Sequence, residues 1–316
     1  MRVVASLGMS MLAVLGATAC SSAEEDSGGP EGQPSNGQAV VWDRQQGPSD
    51  RLATIEGLSG PEAVRYDPDQ DVWFIANFGP GSSEERDGDG FITRVDAATG
   101  SITALRFAEG TDVHPLHMPR GMFLTGDTLW VADVDGVHGF DRRSGVSLVF
   151  HDFSAHEPGF LNDIAAGPDG VLYVTDTGRS ALFDIVGGAV TEVLADTALG
   201  HPNGVTWDPV RESFVLVPWE PGHAVRLWRR GETTTSTLGE ATTGRLDGVE
   251  ALGGMLLIAS QTDSALHVRD AAGSRPVVRV AGAPADIGID TRRNRVAVPY
   301  IDLDRVDIWQ LPDDRE

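Results

Sequence analysis

The stretch PEAVRYDPDQDVWFIAN, residues 61–77, reads as a turn, an apolar strand, a short polar gap and a second apolar strand ending in an amide. The same pattern starts again at Pro119-Arg120-Gly121-Met122, Leu161-Asn162-Asp163-Ile164, Pro202-Asn203-Gly204-Val205, Leu246-Asp247-Gly248-Val249 and Pro284-Ala285-Asp286-Ile287. The second strands read DVWFIAN, TLWVAD, VLYVTD, SFVLVP, MLLIAS and RVAVPY. The starts lie 58, 42, 41, 44 and 38 residues apart, the spacing of one four-stranded propeller blade per repeat. With 38 Gly and 18 Pro in frequent turns and no long helical apolar period, the expected fold is all-β, a six-bladed β-propeller with almost no helix. The last repeat supplies only three strands, near 285–290, 295–299 and 305–311. The missing outer strand is expected from residues 51–56, so that N- and C-terminal strands together close the ring.

The innermost strand of every blade lines a shared channel, so equivalent positions form a ring around the axis. That ring reads Glu62, Arg120, Asn162, Asn203, Asp247 and Ala285. Packed strands normally place apolar or small residues at such positions. Five polar side chains, most of them oxygen donors, instead point to a hard-cation site. In the sixth copy a slip of one residue would bring Asp286 into the ring. The distance to Asp290, matched to Glu62–Asp67 and Asn203–Asp208, puts Ala285 in register.

All 24 basic residues are Arg, which removes lysine-based chemistry. The net charge of −23 argues against nucleic acid and a polybasic membrane patch, and suits cations or neutral small molecules as ligands, although most of it reads as a solubilising surface. Arg2 followed by VVASLGMSMLAVLGA reads as a signal peptide, residues 1–19. Ala17-Thr18-Ala19-Cys20 resembles a bacterial lipobox with Ala17 in place of the usual Leu, which makes Cys20 the expected lipidation site. An ordinary cleaved secretory peptide is the alternative. Residues 20–40 then form a lipidated tether and 41–316 the propeller. The expected location is extracytoplasmic and membrane-anchored, in the periplasm, at the outer membrane or on the cell surface. With a single cysteine, no intramolecular disulfide and no thiol catalysis are expected.

Blade one carries two insertions, FGPGSSEERDGDG (78–90) and AEGTDVHPLHM (108–118). Glu85, Asp87, Asp89, Gly90, Ile92 and Asp96 match an EF-hand loop at most positions, but strand-like flanks favour a hairpin turn. His114 and His117, just before Arg120, could serve a metal, an acid/base step or the substrate, or simply be exposed; His201, beside Asn203, invites the same alternatives.

The ring and its neighbours resemble the senescence marker protein/gluconolactonase group, the regucalcin-like propellers. PEAVRYDPDQDVWFIAN is similar to its glutamate motif, FLNDIAAGPDGVLYVTD to its asparagine-aspartate motif, HPNGVTWDP to its asparagine-glycine motif and LDGVEALGGMLLIAS to its aspartate-glycine motif. The resemblance spans about residues 50–311 and implies a divalent cation, Ca²⁺ first with Mg²⁺, Mn²⁺ and Zn²⁺ as options, held by Glu62, Asn203 and Asp247. It implies lactone or ester hydrolysis, with Asp247 as base and Asn162 contacting water or substrate. Asn162 and Arg120 could stabilise the developing oxyanion. Two features depart from it. Phe160 stands where sugar-lactone enzymes carry an Arg, which points to a less polar substrate. Arg120 brings a cation into the ring, either to bind a substrate carboxylate or to pair with Asp286 or Glu62. The leading expectation is a monomeric metal-dependent hydrolase of a small lactone or ester, with substrate binding by Asn162, Arg120 and His117. The alternatives are a non-catalytic envelope propeller that binds a protein, peptide or glycan, and a small-ligand binding protein. An open pocket above the ring distinguishes the first from a plugged channel.

Overall fold

The computed structural model describes residues 51–80, 86–240 and 244–311. Cys20 and the segments expected to be signal peptide and tether lie outside the described residues. Strand β1 (Arg51–Ile55) precedes blade one, which comprises β2 (Pro61–Asp67), β3 (Val72–Asn77), β4 (Phe91–Asp96) and β5 (Ile102–Glu109). Blade two follows as β6 (Met122–Thr125), β7 (Thr128–Ala132), β8 (Gly136–Asp141) and β9 (Ser147–Asp152), and blade three as β10 (Leu161–Ala166), β11 (Leu172–Asp176), β12 (Ala181–Val186) and β13 (Ala189–Ala195). Blade four contains β14 (Pro202–Asp208), β15 (Ser213–Pro218), β16 (Ala224–Trp228) and β17 (Ser236–Glu240). Blade five contains β18 (Leu246–Leu252), β19 (Met255–Ser260), β20 (Ala265–Asp270) and β21 (Gly273–Arg279). The last strands are β22 (Gly288–Asp290), β23 (Arg295–Tyr300) and β24 (Arg305–Gln310).

The first five blades are antiparallel sheets in chain order from axis to rim, and the sixth reads β22-β23-β24-β1 in the same direction. Both chain ends therefore close the ring, through Ala53 opposite Ile308 and Ile55 opposite Val306. Among the described residues helix is limited to three single 3₁₀ turns, and no helix is long and apolar enough to cross a membrane.

Burial follows strand position. β3, β11 and β15 are buried at every residue, because the second strand of a blade is covered on both faces by neighbouring blades. They accordingly read as continuous apolar runs rather than alternating ones. The outermost strands β5, β13 and β21 are mostly exposed or half-buried, with one buried residue each. Between blades three and four, Tyr173, Phe214 and Trp228 pack with ring centroids 4.4, 5.4 and 5.8 Å apart. All three are fully buried. Phe214→Ala is expected to cost about 3–5 kcal/mol of unfolding free energy, measured by chemical denaturation, because the cavity opens within a blade interface that has no room to collapse.

The sixth repeat sits in the register read from the sequence. Asp286 N–H donates to the Glu62 carbonyl at 2.9 Å, as Gly121 N–H donates to the Asn162 carbonyl at 3.0 Å. Asp67, Asp208 and Asp290 accept from the backbone two residues on, at 2.9 Å in each case, capping three equivalent turns. Ala285 thus occupies the ring position and Asp286 the one after it.

Candidate metal and ligand site on the propeller axis

The inner strands do not follow simple alternation where they reach the axis. Register shifts fall between Pro61 and Ala63, Leu161 and Ile164, Pro202 and Val205, and Leu246 and Val249. Each bulge encloses a ring residue, and bulges re-aim side chains. Acidic ends of the second strands hold the preceding turns: Asp133 accepts from His117 and Met118 N–H at 2.8 and 2.7 Å, and Asp176 from Gly159 and Phe160 N–H at 2.8 Å each. Glycine follows the ring residue where blades approach most closely. A Cβ on Gly204 would lie 2.3 Å from the Asp247 carbonyl, and one on Gly248 2.6 Å from Asp286 Oδ1.

Glu62, Asn162, Asn203 and Asp247 line one cavity of about 550 Å³. Its walls are Phe78, Met118, Phe160, Trp219 and Ile301, with Thr177, His201 and Gln261 supplying polar groups. Asp247 Oδ2 accepts from Gln261 Nε2 at 2.8 Å and from Asn203 Nδ2 at 3.3 Å. Asn162 Nδ2 donates to Thr177 Oγ1 at 3.1 Å. Thr177 Oγ1 in turn donates to the Pro202 carbonyl at 2.8 Å. Asp247 Oδ1 and Glu62 Oε2 are buried and have no hydrogen-bond partner.

Burial pushes the Asp247 carboxyl up to about 7, and the charge of Asp163 adds to the shift. Glu62 is raised well above the usual carboxylate range by burial first and then by Asp247, with Arg120 opposing. Two buried carboxylates with orphaned oxygens, flanked by amide side chains, have the donor chemistry of a hard divalent cation site. The set proposed from sequence, Glu62, Asn203 and Asp247, therefore fits such an ion.

Farther along the inner strands lies a second charged layer. Asp163 accepts from Val205 N–H at 2.8 Å and Ile164 N–H at 2.7 Å. Arg65 pairs with Glu250 and stands 3.5 Å from Asp286. Burial raises Asp163 to about 7 and lifts Asp286 well above its ordinary range.

The structure sets the remaining sequence candidates apart from the cavity lining. Arg120 is buried and does not line the cavity: its guanidinium lies 3.7 Å from the centroid of Phe160, which covers it, and Nη1 donates to the Leu161 carbonyl at 2.8 Å. Burial lowers it to about 10. Asp286 takes Arg65, not Arg120, as its cation. His117 is buried outside the cavity lining, and its Nδ1 accepts from Gly88 N–H at 3.0 Å. His114 stacks on Phe150 with centroids 4.5 Å apart. The hairpin that the flanks favoured over an EF-hand is present: Ile92 and Asp96 belong to β4, and Asp96 caps its own turn through Thr99; Glu85 lies outside the described residues.

The walls escaped the sequence reading although they occupy a regular register. Phe78, Thr177, Trp219, Gln261 and Ile301 each directly follow the second strand of their blade. Met118, Phe160 and His201 each stand two residues before a ring position or its equivalent.

No protein-family model matches the chain, and no curated protein matches it. Solved structures share the fold. A gluconolactonase from Xanthomonas campestris superposes with a TM-score of 0.64 at 15% identity, covering 87% of this chain and 98% of its own. Regucalcin from Agrobacterium tumefaciens, a calcium-binding protein, gives 0.57 at 17% identity over 83% and 85%. A catalytically inactive virginiamycin B lyase from Staphylococcus aureus, solved with quinupristin, gives 0.58 at 14% identity over 83% and 99%. The chain is thus a six-bladed propeller of the architecture found in gluconolactonase and regucalcin.

Proposed function

We propose that the protein hydrolyses a small lactone or ester, less polar than a sugar lactone, in a reaction that depends on a divalent cation. The observation that carries this reading is the pair of orphaned, buried oxygens on Glu62 and Asp247 at the floor of an apolar-walled cavity. Glu62, Asn203 and Asp247 would hold the ion, which supplies Lewis acidity toward a carbonyl and acidifies water. Asp247, whose ionised form a bound cation would favour, is placed to take a proton from water. Gln261 and Asn203 fix its Oδ2, leaving Oδ1 directed to other partners. Asn162, anchored by Thr177, retains amide hydrogen-bonding capacity for a carbonyl oxygen as it gains charge. Arg120 supports Phe160 from below rather than meeting substrate.

Phe160, Phe78, Met118, Trp219 and Ile301 favour an apolar acyl or alcohol portion. Phe160→Arg is expected to shift kcat/KM from aryl or alkyl lactones toward hydroxylated ones, by about 10-fold or more in their ratio. Parallel assays on both substrate types check it; an unchanged ratio removes Phe160 as a specificity determinant. The cavity also accommodates a small-ligand binding protein, and the same screen separates the two: saturable ligand binding without turnover under any metal favours that reading.

We also propose that Cys20 carries a lipid anchor outside the cytoplasm. Labelled palmitate should be incorporated into the full-length chain and not into Cys20→Ser; no incorporation into the wild-type chain would refute the anchor.

A further inference from the structure

Away from the axial carboxylates, Asp133 at the end of the second strand of blade two, Asp135 in the following turn and His138 on β8 converge. One ligand atom from each lies within 4.8 Å of the others. Asp133 and His138 are fully buried and Asp135 is half-buried. His138 Nε2 is 3.5 Å from Asp133 Oδ2, longer than an ordinary N–H···O bond. Neither His138 nitrogen has a hydrogen-bond partner, and neither does Asp135 Oδ1. A fully buried imidazole with both nitrogens unsatisfied is costly, and native proteins rarely leave one so. The ring cannot simply turn to water, because Phe140 and Phe150 pack on it at 5.8 and 4.7 Å between centroids.

We propose that Asp133, Asp135 and His138 form a second metal site, selective for Zn²⁺ or a cation of like preference. The donor chemistry sets it apart from the axis: imidazole nitrogen with two carboxylates suits Zn²⁺, whereas oxygen-only donors suit Ca²⁺. His138 ligates through Nε2, the nitrogen that faces Asp133 Oδ2, so the ion satisfies one of its two orphaned nitrogens. Asp133 oxygens each accept one backbone N–H, from His117 and Met118, and each retains a lone pair for the ion. Arg86, 3.5 Å from Asp135 and more than half exposed, is free to swing away. An ion here ties β7 and β8 to the turn that delivers Met118 to the cavity wall and leads to Arg120. The role is structural, setting the shape of that wall, and does not require the hydrolytic reading.

The test is calorimetric titration of Zn²⁺ into the metal-stripped full chain, compared with Asp135→Asn, His138→Gln and Glu62→Ala/Asp247→Ala. Co²⁺ in place of Zn²⁺ supplies a visible absorption band. The expected result is one Zn²⁺ site kept by the axial double variant, weakened about 10–100-fold or more in Asp135→Asn and His138→Gln, with loss of the Co²⁺ band. Asp135 lies in a turn with an exposed arginine as its ion-pair partner, so Asp135→Asn decides the matter even if His138→Gln fails to fold. Absence of Zn²⁺ binding, binding unchanged by Asp135→Asn, or binding lost in the axial double variant would each overturn the site.

Discussion

Asp247→Asn is expected to lower turnover of the preferred lactone or ester by about 10²–10⁴-fold, the usual contribution of a positioned general base. Asn nearly preserves the shape of the side chain, and its amide can still meet Gln261 and Asn203, so circular dichroism should match wild type and the metal-free unfolding midpoint should not fall. What it removes is the proton acceptor and one negative charge from the Glu62/Asp247 pair. Divalent affinity should therefore fall as well, and turnover should be measured at saturating metal to separate the two effects. A variant that regains full rate at high metal concentration would leave Asp247 as a ligand only and transfer the proton to another group. Unchanged turnover at all metal concentrations would remove Asp247 from the chemistry.

The second large effect concerns stability and pH. Asp163 and Asp247 lie near 7, and Glu62 and Asp286 well above their ordinary range, with burial as the first cause in every case. An unfolded carboxyl titrates near 4. The folded, metal-free propeller therefore binds protons more tightly than the unfolded chain, and the stability these groups contribute is present below about pH 4 and lost as pH rises through 7. Metal-stripped protein should melt at a higher temperature at pH 5 than at pH 8, by a difference worth a few kcal/mol. Saturating Ca²⁺ should flatten or reverse the trend, since it favours the ionised carboxylates. Asp71, held down near 2 mainly by its hydrogen bond from Arg293, has the opposite sign, and its contribution is lost only as pH falls from about 4 toward 2. Between pH 5 and 8 the raised carboxyls are opposed by His151, whose imidazole burial holds below its ordinary value and whose contribution is lost as pH falls. A metal-free melting temperature that rises steadily from pH 5 to 8 would contradict their burial as described.

The blades were legible because the repeat carries its own punctuation. Even the weak sixth copy could be placed, since Asp290 marks the same capped turn as Asp67 and Asp208. The floor of the site was legible for the same reason: one position per repeat gave Glu62, Asn162, Asn203 and Asp247. The layer beneath it was not. In a regular strand Asp163 would face away from Asn162, and the bulge that breaks this alternation has no sequence signal as clear as the turns. Loop directions were hidden too. The spacing of His114 and His117 from Arg120 says nothing of Gly88, whose N–H takes up His117 Nδ1. Nor does it say that Phe160, from another blade, would cover Arg120. The apolar walls were hidden for a different reason: they occupy the position after each second strand, where single residues as unlike as Phe78 and Gln261 show no shared pattern.

The account turns on the axial carboxylates holding a divalent cation, and calorimetric titration of Ca²⁺ into the metal-stripped protein tests this most directly. Wild type should bind one ion at the axis, Glu62→Ala/Asp247→Ala should not, and proton release should accompany binding near pH 7, where Asp247 is partly protonated. An isotherm shared by wild type and the double variant, or no heat of binding in either with Ca²⁺, Mg²⁺ or Mn²⁺, would contradict it.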